Sequence, residues 1–519
     1  MNPDKKKLGI GFCVLWLGLV FSFWDAFSYE YINFDDPDYL FGNPLAELSL
    51  FSGAFWEQLW TTSTVNLWHP ITVLSHQVML RVTSDWGMHH GLNVFLHGIV
   101  ATLWGVFLYK VVKKPVPAII ASILYAWHPV TVESVAWLSG RKDLLCGIFI
   151  VLTFLFHLSW VNDKRRIYYA SSLITGCIAM LCKPVAFLIP VILILLDLWP
   201  LQRLKSVRKE ILIKEKSPWI IPALLTIVLT LTFQSQGGQA IDDSRSIMVR
   251  GAGALWALKQ AVASSVIPID LYLGYSDPLV ISPFRIIFIS AVLITFLSLT
   301  VRGFKKAPYL LIGVLIFIVF LVPTLGLIRA GNHLAADRYC YLPLLGMSFI
   351  ATGILVDKKP PVIGLLCVVI FCFLILQKNQ VSTWENLESI SQHALKISPN
   401  NATANAQLAL IYYDKADEKN TIKYLEKTLT ISPEHVGANI MAATLAKSKK
   451  DWETAEKHYR IAVKTRSNDA LIWYNLAHSQ IAQNKKSEGL EALKVARDNC
   501  KDQDLCISID ADMQILLEK

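Results

Sequence analysis

The chain has 519 residues, 54% of them hydrophobic and 17% charged, with a mean hydropathy of +0.43, which excludes an ordinary soluble domain and places it in a bilayer. Its formal charge of +9 does not indicate a nucleic-acid partner, because the lysines and arginines punctuate the hydrophobic runs instead of gathering in one patch. No CxxC metal spacing occurs among the cysteines, and only Cys500 and Cys506 fall in polar sequence, where they can pair if that region faces an oxidising space.

Lys5, Lys6 and Lys7 precede an apolar run that is followed by aromatic and acidic sequence without a small-residue cleavage site, so the run reads as a retained first span. A membrane helix needs about 20 mostly apolar residues. On that basis the spans fall near 8–27, 90–112, 115–132, 143–161, 167–183, 184–200, 217–236, 282–301, 307–323, 340–356 and 361–377, about 11 in all. The fifth and sixth meet at Lys183-Pro184 and could instead form a re-entrant pair.

Cations cluster at alternate ends of these spans: Lys5–Lys7; Lys110, Lys113 and Lys114; Lys164–Arg166; Arg203 to Lys216; Arg302, Lys305 and Lys306; Lys358 and Lys359. Those ends are cytoplasmic by the positive-inside rule. The N-terminus is then cytoplasmic and everything after about Gln377 lies outside. Ala252 to Tyr275 is apolar but carries Lys259, Pro268 and Asp270, so it is expected to lie along the outer interface.

The outer connections carry the candidate chemistry. In the first, at about 25–89, Asp35 and Asp36 are adjacent carboxylates, a pairing that suits a general base; the plain alternative is a helix cap. His90, Asn93 and His97 share a helix face, either as a hydrogen-bonded seam or, with His89, as a zinc site, although no carboxylate or thiolate stands at a convincing spacing. Arg141 and Lys142 are adjacent cations on a cation-poor face and suit a phosphate, unless they simply pair with Glu133 or Asp143. A last outer motif runs from Gly331-Asn332-His333 through Asp337-Arg338-Tyr339, with Arg338 at headgroup depth as an anion ligand or a membrane anchor.

From Trp384 a 34-residue period appears: Ile397-Ser398-Pro399 recurs as Ile431-Ser432-Pro433, and Ala409, Ala443 and Ala477 keep the same interval. Small residues at fixed positions let paired helices pack closely. The fold class expected is all-α: a polytopic membrane domain over 1–380 and a solenoid of about three repeats with a leading half repeat over 381–519. A triplet Asn401-Ala402-Thr403 also forms a glycosylation sequon.

Phe34-Asp35-Asp36, Trp68-His69-Pro70-Ile71-Thr72, His128-Pro129 through Glu133 to Arg141-Lys142-Asp143, Lys183-Pro184, Ala336-Asp337-Arg338-Tyr339 and the repeats together resemble the transmembrane and tetratricopeptide-repeat family of protein O-mannosyltransferases and its bacterial relatives, in the GT-C superfamily. The resemblance covers nearly the whole chain. It implies inverting transfer of one mannose-like sugar from a polyprenyl-phosphate carrier to a hydroxyl acceptor, protein Ser or Thr, on the non-cytoplasmic face. The lipid-linked donor and the acceptor protein would be the partners, and no metal would be obligatory.

Asp35, with Asp36 and with Tyr39 four residues on, matches the family's base motif; Arg141, Lys142 and Arg338 would hold the donor phosphate. His69, His90, Asn93, Glu133, Asp143 and Lys183 would support the site. The chain departs from animal members in having His69-Pro70 where they tend to have Arg-Pro, and in its shorter repeat array. The shorter array favours a bacterial inner membrane over an endoplasmic reticulum. Two other readings fit the residues: a membrane-anchored repeat scaffold without catalysis, and transfer of a whole oligosaccharide or modification of a lipid-linked glycan.

Overall fold

The computed structural model describes residues 3–236, 246–275, 282–327, 334–356, 360–500 and 502–517. Lys358 and Lys359 of the cytoplasmic set, and Gly331-Asn332-His333 of the last outer motif, lie outside the described residues. Among those described, every named element is helical, as expected for an all-α polytopic membrane protein. By length and apolar composition, five helices among the described residues can cross a bilayer alone, or six if the bent pair Pro115–Ala126 and Pro129–Ala136 is one span. Four shorter apolar helices, Arg166–Cys182, Pro184–Leu198, Pro308–Thr324 and Pro343–Leu355, occupy further expected segments. The segment expected along the interface is helical over Ile247–Val266 and continues as irregular backbone to Tyr275.

Two compact units divide the chain, residues 1–389 and 390–519. In the first, the Trp86–Val112 helix is central and packs on the Pro115–Ala126, Arg141–Asp163, Pro343–Leu355 and Pro3–Ser22 helices. Because a lipid tail is as apolar as leucine, such helices associate through close packing of small residues and through polar contacts. Gly313 and Gly346 supply the first between the Pro308–Leu321 and Pro343–Leu355 helices: a Cβ on Gly346 would lie 2.3 Å from the Gly313 carbonyl oxygen and 2.8 Å from Phe317 N. The Pro283–Arg302 helix does the opposite and leaves Phe284, Ile287, Phe288 and Ile294 exposed, the surface a lipid tail would cover.

The first outer loop folds into a small layer of its own. Short helices at Asp36–Tyr39, Gly53–Thr61 and Pro70–Val82 close over a core of Tyr39, Leu45, Phe55, Leu59 and Val73. This layer presents the candidate residues.

In the second unit the 34-residue interval is visible in the backbone. Asn401, His435 and Asp469 each cap the helix that follows, accepting from Ala404 N, Ala438 N and Ile472 N. Ala416, Lys450 and Asn484, again 34 apart, take left-handed φ values of 55°, 60° and 62° in the turn joining each pair of helices. Ala409, Ala443 and Ala477 are fully buried where the pairs pack. Asn401 is itself buried and spends its side chain on this cap, so the sequon is not presented as an open acceptor in the folded chain. Cys500 and Cys506 are joined by a disulfide.

Two outcomes test this packing. Replacing Gly346 by Val should destabilise the detergent-solubilised protein by at least about 1–3 kcal/mol, because the Gly313 backbone cannot yield as a side chain could; an unchanged unfolding midpoint would contradict the close approach. In the repeats, Glu456 accepts hydrogen bonds from Lys485, Arg460 and Gln483. Burial would raise its pKa, but these partners outweigh it and hold the carboxyl down at about 2. A folded-state pKa below the unfolded value of about 4.3 gives stability that is complete above that value and lost as pH falls toward 2. Glu456→Gln should therefore weaken the unit by about 1–3 kcal/mol at neutral pH and flatten its acid dependence below pH ~4 in circular-dichroism melts.

Candidate active site

The site begins with a buried carboxylate. Asp36 is fully buried and both of its oxygens are occupied: Oδ1 accepts from Ser139 N at 2.8 Å and from the Ser139 hydroxyl, and Oδ2 accepts from Ile32 N at 2.9 Å. Burial pushes its carboxyl up to about 6 despite these donors. Asp36 thus fastens the first outer layer to the turn at Leu138–Gly140, which lies more than one hundred residues away. Gly140 makes the turn possible, since a Cβ there would sit 2.2 Å from the Ser134 carbonyl oxygen.

Its neighbour Asp35 is differently placed. It precedes the Asp36–Tyr39 helix in the capping position, yet its side chain caps nothing. The carboxylate is half-buried, and its charge acts on Lys142 and Arg338. Expected as a pair, the two carboxylates have separate environments: Asp36 is committed to backbone, while Asp35 is held near cations without being consumed by them.

The cations are arranged by contacts from remote parts of the chain. Arg141 is fully buried, donating to Asn93 Oδ1 at 2.9 Å and to the Ser75 and His89 carbonyls at 3.3 Å. Asn93 in turn donates to the Val135, Trp137 and Leu138 carbonyls, so the two side chains lock the 135–141 turn onto the Trp86–Val112 helix. Lys142 donates to the Tyr39 hydroxyl at 3.2 Å and lies over the Tyr39 and Trp137 rings at 5.0 and 5.8 Å. Neither Arg141 nor Lys142 forms an ion pair with Glu133 or Asp143. Glu133 pairs with Arg338 and also accepts from Arg338 N at 3.0 Å; Asp143 pairs with Lys183. Burial pulls the Arg338 guanidinium down, and Glu133 more than reverses this, so it stays charged. Arg338 also lies 5.3 Å from the Trp137 ring centre, which places that indole against both cations.

The histidines occupy several positions. His90 Nε2 contacts the Glu30 carbonyl, His89 Nε2 the Thr83 carbonyl, and His97 both the Tyr341 hydroxyl and the Ala126 carbonyl. These form a hydrogen-bonded seam, and among the described residues no three His, Cys, Asp or Glu side chains are grouped to hold a metal ion. His69 is buried 5.4 Å from the Tyr39 ring.

Several contributors were not singled out from the sequence. Ser139 and Trp137 stood inside a quoted motif without a role, and His76 carried no motif signal at all. Tyr275 falls in the segment read as interfacial; its hydroxyl donates to Asp337 Oδ1 at 2.8 Å. Burial, followed by repulsion from Glu133, pushes the Asp337 carboxyl well up, which favours its neutral form. Beside Asp337 lies a tight pocket of about 10 Å³, room for little more than one water molecule, lined largely by apolar side chains that include Ala257, Ala261, Leu321, Leu325 and Leu334. Motif order could have indicated Asp337 and Ser139, but Tyr275, paired with Asp337 62 residues away, and His76, packed on the distant Tyr39, left no local trace.

No family model matches the chain. Among curated proteins, "Protein O-mannosyl-transferase TMTC4" of Mus musculus is 24% identical over 500 residues, covering 82% of this chain and 66% of that protein. The Homo sapiens TMTC4 is 22% identical over 463 residues, covering 75% of this chain and 62% of its own length. "Protein O-mannosyl-transferase TMTC1" of Homo sapiens is 22% identical over 483 residues, covering 80% of this chain and 53% of that protein. The chain therefore spans between about half and two thirds of the length of these relatives. Over most of its own length, the chain is a sequence relative of the transmembrane and tetratricopeptide-repeat protein O-mannosyl-transferases, the family its motifs resemble.

Proposed function

We propose that this chain transfers a single mannose-like sugar from a polyprenyl-phosphate carrier to a Ser or Thr hydroxyl of a protein on the non-cytoplasmic face of its membrane. The observation that carries the reading is Asp35: a half-buried carboxylate, not engaged in capping, whose charge acts on Lys142 and Arg338 from two other stretches of the chain. The names of the sequence relatives, protein O-mannosyl-transferases, support transfer of a mannose to protein.

The chemistry is a single displacement. The acceptor oxygen forms a bond to the anomeric carbon as the bond from that carbon to the phosphate oxygen breaks; the bonding pair leaves with the phosphate, and the configuration inverts. Asp35 takes the hydroxyl proton, and Lys142 stabilises the charge that builds on the departing phosphate. Arg338, tied to Glu133, adds positive potential and orders the wall around Trp137. Cationic side chains supply the stabilisation, so a metal is not required.

The cation bias of the loops supports an N-terminus in the cytoplasm and repeats outside, and the Cys500–Cys506 disulfide fits an oxidising space. A bacterial inner membrane, with the repeats in the periplasm, accommodates both. The repeats, of tetratricopeptide type by their period, would engage the acceptor protein.

The two aspartates should separate experimentally. In purified protein supplied with labelled polyprenyl-phosphate mannose and a Ser/Thr peptide, Asp35→Asn should lower kcat by about 10²-fold or more with an unchanged melting temperature; full transfer by this variant would remove Asp35 from the mechanism. Asp36→Asn should instead lose about 1–3 kcal/mol of stability, because an amide leaves one of the Ser139 and Ile32 N–H groups facing another donor. A melting temperature equal to wild type would count against the joint.

A further inference from the structure

His76 lies in the Pro70–Val82 helix, is fully buried, and neither of its ring nitrogens has a hydrogen-bond partner. An unpartnered buried polar group is costly, and a folded chain keeps one only where something else meets the need. Its ring lies 5.2 Å from that of Tyr39, and His69, whose nitrogens also lack a partner in hydrogen-bonding geometry, lies 5.4 Å from the same ring. Lys142, with three N–H groups, spends one on the Tyr39 hydroxyl and has no carboxylate in ion-pair range among the described residues. Arg141, His89, Lys142 and His69 are the titratable groups that act most on His76, while the carboxylates of Asp35 and Asp143 act on the neighbouring Tyr39 and Lys142. Buried donors around one phenol, with an ammonium that no carboxylate approaches to ion-pair distance among the described residues, are suited to oxyanion oxygens.

We propose that His76 binds a phosphate oxygen of the lipid-linked donor, with His69 and Lys142 completing an oxyanion chamber around Tyr39. This rests on the transferase reading above and makes the leaving group's site specific: the chamber holds the phosphate before transfer and the added negative charge after it. Arg141, which is engaged by Asn93 and two carbonyls, shapes the chamber without binding the anion.

The test uses the full chain in nanodiscs of zwitterionic lipid, with undecaprenyl phosphate as probe and binding followed by titration calorimetry. His76→Phe should weaken binding by about tenfold or more, the loss of one hydrogen bond to a charged group, while His76→Gln, which keeps a donor, stays within about threefold of wild type. Inorganic phosphate in excess should displace the probe; displacement by undecaprenol but not by phosphate would overturn the chamber. A His76→Phe protein that binds as wild type does and melts higher would identify a water pocket and also overturn it. Wild-type protein that binds the probe but transfers no sugar would refute the transferase reading and leave the chamber standing. Unchanged affinity of His76→Phe, in a protein whose wild type transfers sugar, would refute the chamber alone.

Discussion

The candidate site depends on a carboxylate that has been taken out of water without an ion-pair partner. Asp36 is tolerated because two backbone N–H groups and a hydroxyl converge on it, and buried charge or polarity is costly unless so satisfied. Those donors belong to Ile32 and Ser139, so meeting the carboxylate's needs brings the first outer layer onto the turn that begins the Arg141–Asp163 helix. Asp35 and Lys142 are then brought together as the flanking residues of the two joined segments.

Charge pairing does the rest. Glu133 and Asp143 each have near neighbours of opposite sign in Arg141 and Lys142, yet their partners are Arg338 and Lys183, from later parts of the chain. Removing one member of a buried pair costs about 3–5 kcal/mol, so these links resist separation. Among the described residues the cross-pairing leaves Lys142 without an ion pair, set against the Tyr39 phenol and the Trp137 ring. A cation left in this way, next to a carboxylate that caps nothing, is the combination a proton transfer and a departing anion call for.

The second unit is built on different terms. Its helices are ordered by local signals that recur at a constant interval: a capping side chain, a left-handed turn and a buried alanine. Each repeat buries its apolar face against the next, so stability accumulates along the array, and no remote pairing is needed to set the register.

This contrast separates what was legible in the sequence from what was not. The all-α membrane class, the helical segments and the 34-residue interval were readable because each is a local periodicity of apolar and small residues. So was the set of outer-loop motifs, including Asp35, Asn93, Arg141, Lys142 and Arg338. Their roles relative to one another were not: the sequence offered Asp35 and Asp36 as a pair, and Arg141 and Lys142 as phosphate ligands or, in the plain alternative, as partners of Glu133 or Asp143. Only the tertiary structure decided that Asp36 is a joint, that Arg141 is spent on carbonyls, and that His76 lies beside Tyr39. The reason is physical. A helix is determined within a few residues of itself, whereas the partner of a buried charge or imidazole is whichever group the packed chain carries to within about 3 Å of it.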